Sequence, residues 1–492
     1  MNSETINRKS IKINMVLNAL KGILNVLFPL ITFPYIAKVL RVDNIGKYNF
    51  SNSIISYFIL FAGLGINTYA IREGARIREK TNEFNEFADE MFSLNISSTI
   101  VSYIVFFILL FTVNHFSDYR TLLAILSLQI AFKTIGIEWL YSVYEDYLYI
   151  TVRSILFQLL SLVFLFLFVK NENDLNTYAG ITVFSSVGSN ILNLIHSRKY
   201  IRIRIKIPYK WKTHIKPILF LFAMAVAVTV YVASDTTMLG LLCDDYTVGI
   251  YSVSTKVYTI VKTILSSVLI VSIPRLSSLI GNNKQEEFYE VATDILGTLY
   301  TVLLPAITGI IVLRKEVVLL ISSNEFISAT SSLTILSVAL FFCLGAWFWG
   351  QCILVPLKLD KDVFKITVVS AVVNIVLNLF LIPIMKENAA ALTTLVAEGI
   401  AFGWCWIKGK KNVSIKGSTS VLLKSIIGCG AIVLVIHIAG RLLSNMVLFI
   451  ILSIIASVFT YIVVELILKN QCATSVASGI KNRLFKTGVN YS

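Results

Sequence analysis

Charge is scarce in this chain. Of 492 residues only 14% are Asp, Glu, Lys or Arg, while 56% are hydrophobic. A soluble globular chain carries roughly 25% charge, so an ordinary water-facing surface is excluded. Acidic residues are the scarcer sign, 28 against 43 basic, which leaves a formal charge of +15. The four histidines show no HExxH-like spacing, and no Walker A motif occurs, which removes the usual zinc-hydrolase and built-in ATPase signatures. The six cysteines (Cys243, Cys343, Cys352, Cys405, Cys429 and Cys472) are scattered, mostly in apolar runs and without a CxxC pair. That argues against a disulfide framework and against a zinc site. No cofactor is expected. No cleavable signal peptide is expected either: the first apolar run is too long, holds Lys21 and lacks a small-residue cleavage pattern.

What fills the chain is long apolar runs, and mean hydropathy is +0.78. Runs of about 20 residues, rather than alternating ten-residue segments, predict an all-α polytopic membrane protein and not a barrel. Hydropathy marks about 14 transmembrane helices, from 14–40 to 446–468. The tenth, 329–354, is preceded by ISSNEFISAT, which could also be re-entrant. With the N-terminus placed in the cytoplasm, inside segments hold 30 lysines and arginines, outside segments 9, and spans 4. By the positive-inside rule both termini are cytoplasmic, and the same rule explains the net charge without nucleic acid. The longest outside segment is about 15 residues around 314–329, too short for a catalytic domain, so an enzyme such as a polymerase is disfavoured.

The chain reads as two related halves. DNIGKYNFSNSI (43–54) opens the second span and DDYTVGIYSVSTKV (244–257) the eighth. Gly46 and Gly249, Tyr48 and Tyr251, and Arg72 and Arg275 are each 203 residues apart. YITVRS (149–154) and FKITVVS (364–370) give a second echo. Six spans per half is an even number, so the halves insert in the same orientation and are related by an axis along the membrane normal. The expected organisation is an N-terminal lobe (1–200), a basic cytoplasmic loop (201–216), a C-terminal lobe (217–410), and two further spans with a basic tail (411–492). The loop SRKYIRIRIKIPYKWKTHIK suits anionic lipid head groups.

Polar residues inside the spans are the candidate site. Asn14, Asn18, Lys21 and Asn25 form one helical stripe ahead of Pro29 and Pro34, each of which removes a helix donor. In span eight, Ser252, Lys256, Thr259, Thr263 and Ser266 step by four and three, with Lys262 roughly 120° away. Lys133 shares a face with Gln129 and Gly136 in span four, and Asn374 and Asn378 lie at i, i+4 in span eleven. A lysine near the bilayer centre costs roughly 2.5–3.5 kcal/mol. These residues are therefore expected to face a wet cavity, with Lys21, Lys133, Lys256 and Lys262 binding an anion such as a diphosphate, and Asn18, Asn25, Thr259 and Thr263 hydrogen-bonding it or its sugars. Intramembrane acids are fewer: Glu138, Asp235 and Glu398 either pair with lysines to set packing or couple ions. The aromatic run Trp139, Tyr141, Tyr144, Tyr147 and Tyr149 fits an interfacial belt, with a platform for sugar rings as the alternative.

FPLITFPYIAKVL (28–40), GKYNFSNSIISYF (46–58), YAIRE (69–73), IGIEWLYSVYEDYLYITVRS (135–154), ILVPLKLDKD (353–362) and VVNIVLNLFLIP (372–383) resemble the Wzx-type polysaccharide repeat-unit flippases that serve O-antigen and capsule synthesis. These belong to the multidrug/oligosaccharidyl-lipid/polysaccharide (MOP) exporter superfamily. The resemblance covers most of the chain and weakens after about residue 410. It implies two pseudo-symmetric six-helix lobes in a V plus two C-terminal helices. It also implies a flippase, not an enzyme, moving undecaprenyl-diphosphate-linked oligosaccharide from the cytoplasmic to the outer leaflet of the cell membrane by alternating access. Membrane lipids are then partners, with a polysaccharide polymerase and a chain-length regulator as candidates, and a monomer is expected. A cation-coupled multidrug antiporter on the same scaffold is the alternative, against which four intramembrane lysines speak. The resemblance carries no site motif, so the site residues rest on the residue pattern alone.

Overall fold

The computed structural model describes residues 11–207, 210–415 and 417–474, and for residues 11–21 and 23–26 the backbone only. Among the described residues the chain is helical and has no strand. It clusters into two compact units, one up to Ser252 and one from Val253 onward.

The first unit begins with α1 (Ile11–Gly63), α2 (Ile66–Ile77) and α3 (Thr81–Thr112). It continues through α4 (Arg120–Ile135), α5 (Glu138–Val143), α6 (Tyr147–Phe168), α7 (Leu175–Val183) and α8 (Asn190–His196) to α9 (Trp211–Leu242) and the start of α10 (Asp245–Gly281). The second unit holds the rest of α10, α11 (Gln285–Val312), α12 (Arg314–Ile321), α13 (Ala329–Trp347), α14 (Asp360–Asn412), α15 (Ser418–Leu442) and α16 (Met446–Ile467).

Twelve helical stretches are long and apolar enough to cross a membrane, and this is a multi-pass membrane protein. Two of the helices, α1 and α14, have 53 residues each. At 1.5 Å per residue that is about 80 Å, far beyond a hydrocarbon core of roughly 30 Å. Each is bent by one residue off helical geometry, Arg41 (φ 65°, ψ 178°) in α1 and Lys386 (φ 49°, ψ −128°) in α14. The stretch 27–77 and α14 thus each contain two expected spans. The break in α1 falls at Arg41 and not at the prolines, since the helix runs through Pro29 and Pro34. Span four, expected as one helix, breaks at Gly136–Ile137 with Ile137 left-handed (φ 37°). Ahead of α13, residues 314–321 and 324–326 form two short helices.

Each unit is built from the inside out. Phe84, Ala88, Met91, Leu140 and Tyr141 anchor one core of the first unit, and Leu269, Leu276, Phe288, Leu303 and Phe348 that of the second. Outward faces are apolar too: Ile100, Ile104 and Ile108 on α3 are each 55% exposed. Such a face is unfavourable in water and fits hydrocarbon, where the helix satisfies its own backbone.

Candidate functional site: intramembrane charges in each unit

In the first unit the break between α4 and α5 organises the charges. Opening the helix at Gly136 frees carbonyls that need donors. α8 supplies one at the break: Asn193 Nδ2 donates to the Gly136 carbonyl at 2.8 Å, and Asn190 Nδ2 adds a second bond at 3.0 Å to the Phe132 carbonyl, which already accepts the Gly136 N–H. No side chain fits at position 136, where a Cβ would lie 2.6 Å from Asn190 Cγ. Arg153 locks the arrangement from α6. Its side chain is 4% exposed and donates to Glu138 Oε1 (3.1 Å), the Ser189 carbonyl (3.1 Å) and Asn190 Oδ1 (3.3 Å). Glu138 therefore has a partner, as one reading of the intramembrane acids anticipated, but that partner is an arginine of the next helix and not a lysine. The positive-inside tally counts Arg153 as a loop charge. Its one visible signal is a basic residue on the buried face of the apolar run that opens α6.

Lys133 lies on α4 three residues before the break. It is exposed, and among the described residues it has no hydrogen bond or ion pair. An exposed, unpaired ammonium in an apolar helix is costly against lipid and favours a hydrated space. The aromatic run beside it packs inward: Trp139 is 3% and Tyr141 0% exposed, and Tyr149 stacks on His196 at 4.0 Å. Trp139 and Tyr141 are core residues and offer no open platform. Burial pushes the Tyr144 hydroxyl above the usual tyrosine range, with Arg78 opposing. The Asn18, Lys21 and Asn25 side chains lie outside the described ones. Asp235 is 7% exposed and accepts a hydrogen bond from the Tyr251 hydroxyl at 2.8 Å.

In the second unit α10 carries Lys256 and Lys262, both half-buried, with Thr259 and Thr263 exposed. Thr263 turns its hydroxyl back to the Thr259 carbonyl at 2.7 Å. The Lys262 ammonium sits 5.6 Å from the centre of the Tyr258 ring. The Tyr258 hydroxyl donates to Glu398 Oε1 at 3.4 Å, and Cys343 lies against both Lys262 and Tyr258. Glu398, 6% exposed on α14, attracts the Lys262 ammonium without a direct ion pair. Lys262 thus has a counter-charge in its own unit, whereas Lys133 shows none. Asn374 and Asn378 are committed to structure. Asn378 Nδ2 donates to Asn374 Oδ1 (3.3 Å), and Thr393 Oγ1 to Asn378 Oδ1 (2.6 Å), which ties the two halves of α14 together.

A cavity of about 600 Å³ between α1 and α3 is lined by Tyr57, Phe58, Phe61, Leu94, Val101 and Val105, among others. Its walls are apolar, so it is no diphosphate site.

Known proteins match this chain along most of its length. The family described as "Polysaccharide biosynthesis protein" matches residues 11–280, and the family described as MatE matches residues 220–380. A protein of Escherichia coli (strain K12) named "Putative O-antigen transporter" is 20% identical over 396 residues, 80% of this chain and 95% of that protein. The "Capsular polysaccharide biosynthesis protein CapF" of Staphylococcus aureus is 23% identical over 391 residues, 77% of this chain and 94% of its own length. Among solved structures, the lipid II flippase MurJ in an inward closed conformation superposes with a TM-score of 0.73 at 16% identity, covering 92% of this chain and 98% of MurJ. At that identity the likeness speaks for the fold.

Proposed function

This chain belongs to the polysaccharide biosynthesis protein family, within the MOP exporter superfamily, and from that premise we propose that it is a flippase for lipid-linked oligosaccharides. In this reading it carries an undecaprenyl-diphosphate-linked repeat unit from the cytoplasmic to the outer leaflet by alternating access, with both termini cytoplasmic. The relatives named for O-antigen transport, capsule synthesis and lipid II flipping support it. The observation that carries the substrate's chemistry is Lys133, an exposed ammonium in an apolar helix with no counter-charge among the described residues. A doubly charged diphosphate diester is the complement to such a group, and lysine offers it a compact charge with three donors. Lys21, Lys256 and Lys262 are the further ammonium groups of this reading, with Asn18, Asn25, Thr259 and Thr263 hydrogen-bonding phosphate or sugar. An inside-negative potential favours outward movement of an anion by about 2.3 kcal/mol per charge per 100 mV. A polymerase that consumes the flipped unit is the proposed downstream partner.

The experiment is Lys256→Ala with Lys262→Ala in cells lacking the native copy. Loss of surface polymer at normal protein level is the expected result. Wild-type polymer output from the double variant would remove the charge argument. An antiporter of organic cations needs unpaired acids at its site. Here Glu138 is held by Arg153 and Glu398 accepts from Tyr258, which favours the anion carrier.

A further inference from the structure

Where α11 and α15 end and α16 begins, the second unit holds a cavity of about 450 Å³. Val312 of α11 and Phe449 of α16 stand on two sides of it, and α15 contributes Val433, Leu434, His437, Gly440 and Arg441. Steps of three and four put these five on one stripe of the helix. The stripe is graded along its length. Val433 and Leu434 open it with apolar surface, 42% and 65% exposed. His437 follows one turn on, and Arg441 another turn on, beside the last residue of α15. At 1.5 Å per residue the apolar start and the arginine are about 12 Å apart along the axis. Gly440 keeps the space open: within 4 Å a Cβ there would meet only the Phe449 ring, at 3.5 Å.

His437 and Arg441 are exposed, and among the described residues neither has a hydrogen bond or ion pair. No carboxylate lines the cavity. The surface around them is apolar, with Ile438, Leu442 and Val447 each more than half exposed, and it fits hydrocarbon. An arginine at a helix end reaches the head-group layer on its own stem. A histidine one turn deeper, about 6 Å along the axis, has no such reach. Its ring N–H is left without an acceptor, at a cost, unless an acceptor comes to it. The complement of this cavity is an anion with several acceptor oxygens, joined to an apolar chain. A phosphodiester matches the guanidinium fork, and the chain covers Val433, Leu434 and Phe449. A free phosphate would leave the apolar part unfilled, and a neutral lipid would leave the arginine without a counter-charge.

We propose that this cavity binds one anionic phospholipid of the surrounding membrane, with the phosphodiester on Arg441 and His437 and an acyl chain along Val433, Leu434 and Phe449. The lipid touches α11, α15 and α16 together, so it ties the last two helices to the body of the second unit. None of the lysines assigned to the diphosphate takes part, and the inference stands whether or not the chain carries oligosaccharide.

The full chain, purified in detergent and titrated with phosphatidylglycerol or with phosphatidylcholine of the same acyl chains, tests it by native mass spectrometry and melting temperature. The wild type is expected to bind its first phosphatidylglycerol at least about tenfold more tightly than phosphatidylcholine, the equivalent of one charge-assisted contact. Phosphatidylglycerol should also raise the melting temperature more. Arg441→Gln combined with His437→Leu should erase the preference. Gly440→Leu keeps both bases and fills the cavity, and it should weaken phosphatidylglycerol binding by a similar factor. Arg120→Gln, at an exposed arginine that opens α4 in the first unit, should leave binding unchanged. Inorganic phosphate should not displace the lipid. Equal affinity for the two lipids, a preference that survives the Arg441 and His437 changes or Gly440→Leu, an equal loss in Arg120→Gln, or displacement by inorganic phosphate each overturns the proposal. If Gly440→Leu does not fold, the exposed Arg441 and His437 changes still decide.

Discussion

Gly46 and Gly249, 203 residues apart in sequence, press against each other where α1 meets the start of α10. A Cβ on Gly46 would lie 1.8 Å from the Asp245 carbonyl oxygen and 3.0 Å from the Gly249 nitrogen. One on Gly249 would lie 2.2 Å from the Val42 carbonyl oxygen. Small residues let helix backbones approach this closely. Gly46→Ala and Gly249→Ala are each expected to destabilise by about 1–3 kcal/mol, read as a lower melting temperature in detergent. Gly309 on α11 faces open space, with no atom within 4 Å of where a Cβ would sit, so Gly309→Ala is expected to be neutral or to stabilise by up to about 1 kcal/mol. Equal melting shifts in all three would refute the close packing.

Arg153 holds three acceptors with one planar group. Arg153→Lys cannot span them, and its expected cost is about 1–3 kcal/mol. Glu138 is half-exposed at 48%, so Glu138→Gln should cost under about 1 kcal/mol. Thermal unfolding of the two variants side by side checks the order.

The Asn374–Asn378–Thr393 network is buried, with Asn378 0% exposed. Asn378→Ala leaves two buried groups short of partners at an expected cost of about 1–3 kcal/mol. Lipid-linked oligosaccharide transport, normalised to folded protein, should change little, because these amides face one another. A selective loss of transport without a melting shift would instead place Asn378 at the substrate.

Lys133 has the opposite signature. Lys133→Ala is expected to leave the melting temperature within about 0.5 kcal/mol of wild type, as surface changes do, and to cut polymer output at least about tenfold, one lost charge-assisted contact. Lys133→Arg should retain most of the output. Unchanged output in Lys133→Ala contradicts a substrate role.

The loop before α9 is held to α3 by charge, with Lys206 and Lys210 both paired to Glu86. The hydrogen bond to Glu86 holds the Lys206 ammonium above the usual lysine range. A group with a raised value contributes fully at lower pH and loses that contribution only as pH rises through the raised value. Relative to cleavage of an unfolded reference peptide at the same pH, trypsin cleavage after Arg204 should therefore be slow and nearly constant from about pH 6 to 9, and faster in Lys206→Ala. Because the pair is solvent-exposed, added salt should speed cleavage in the wild type as well.

Hydropathy and composition were sufficient for the class of fold, since a bilayer demands about 20 apolar residues per crossing whatever the partners. The sequence pairs Gly46 with Gly249 only by their 203-residue spacing; their close approach is a matter of packing. The breaks were harder to place. Pro29 and Pro34 are conspicuous yet stay helical, while Arg41, Ile137 and Lys386 carry the bends, because neighbouring helices decide where lost backbone bonds are replaced. Which charges are engaged is also a tertiary matter. Lys133 counts as a span charge and Arg153 as a loop charge, yet Lys133 is exposed with no partner among the described residues and Arg153 is buried on three acceptors. Glu90 and His214, 124 residues apart, look like ordinary loop-side charges until α3 and α9 bring them within 2.9 Å. Spacing along one helix fixes which residues share its face. Only the packing of helices distant in sequence sets which face meets a partner, and hence which buried charge is left to act.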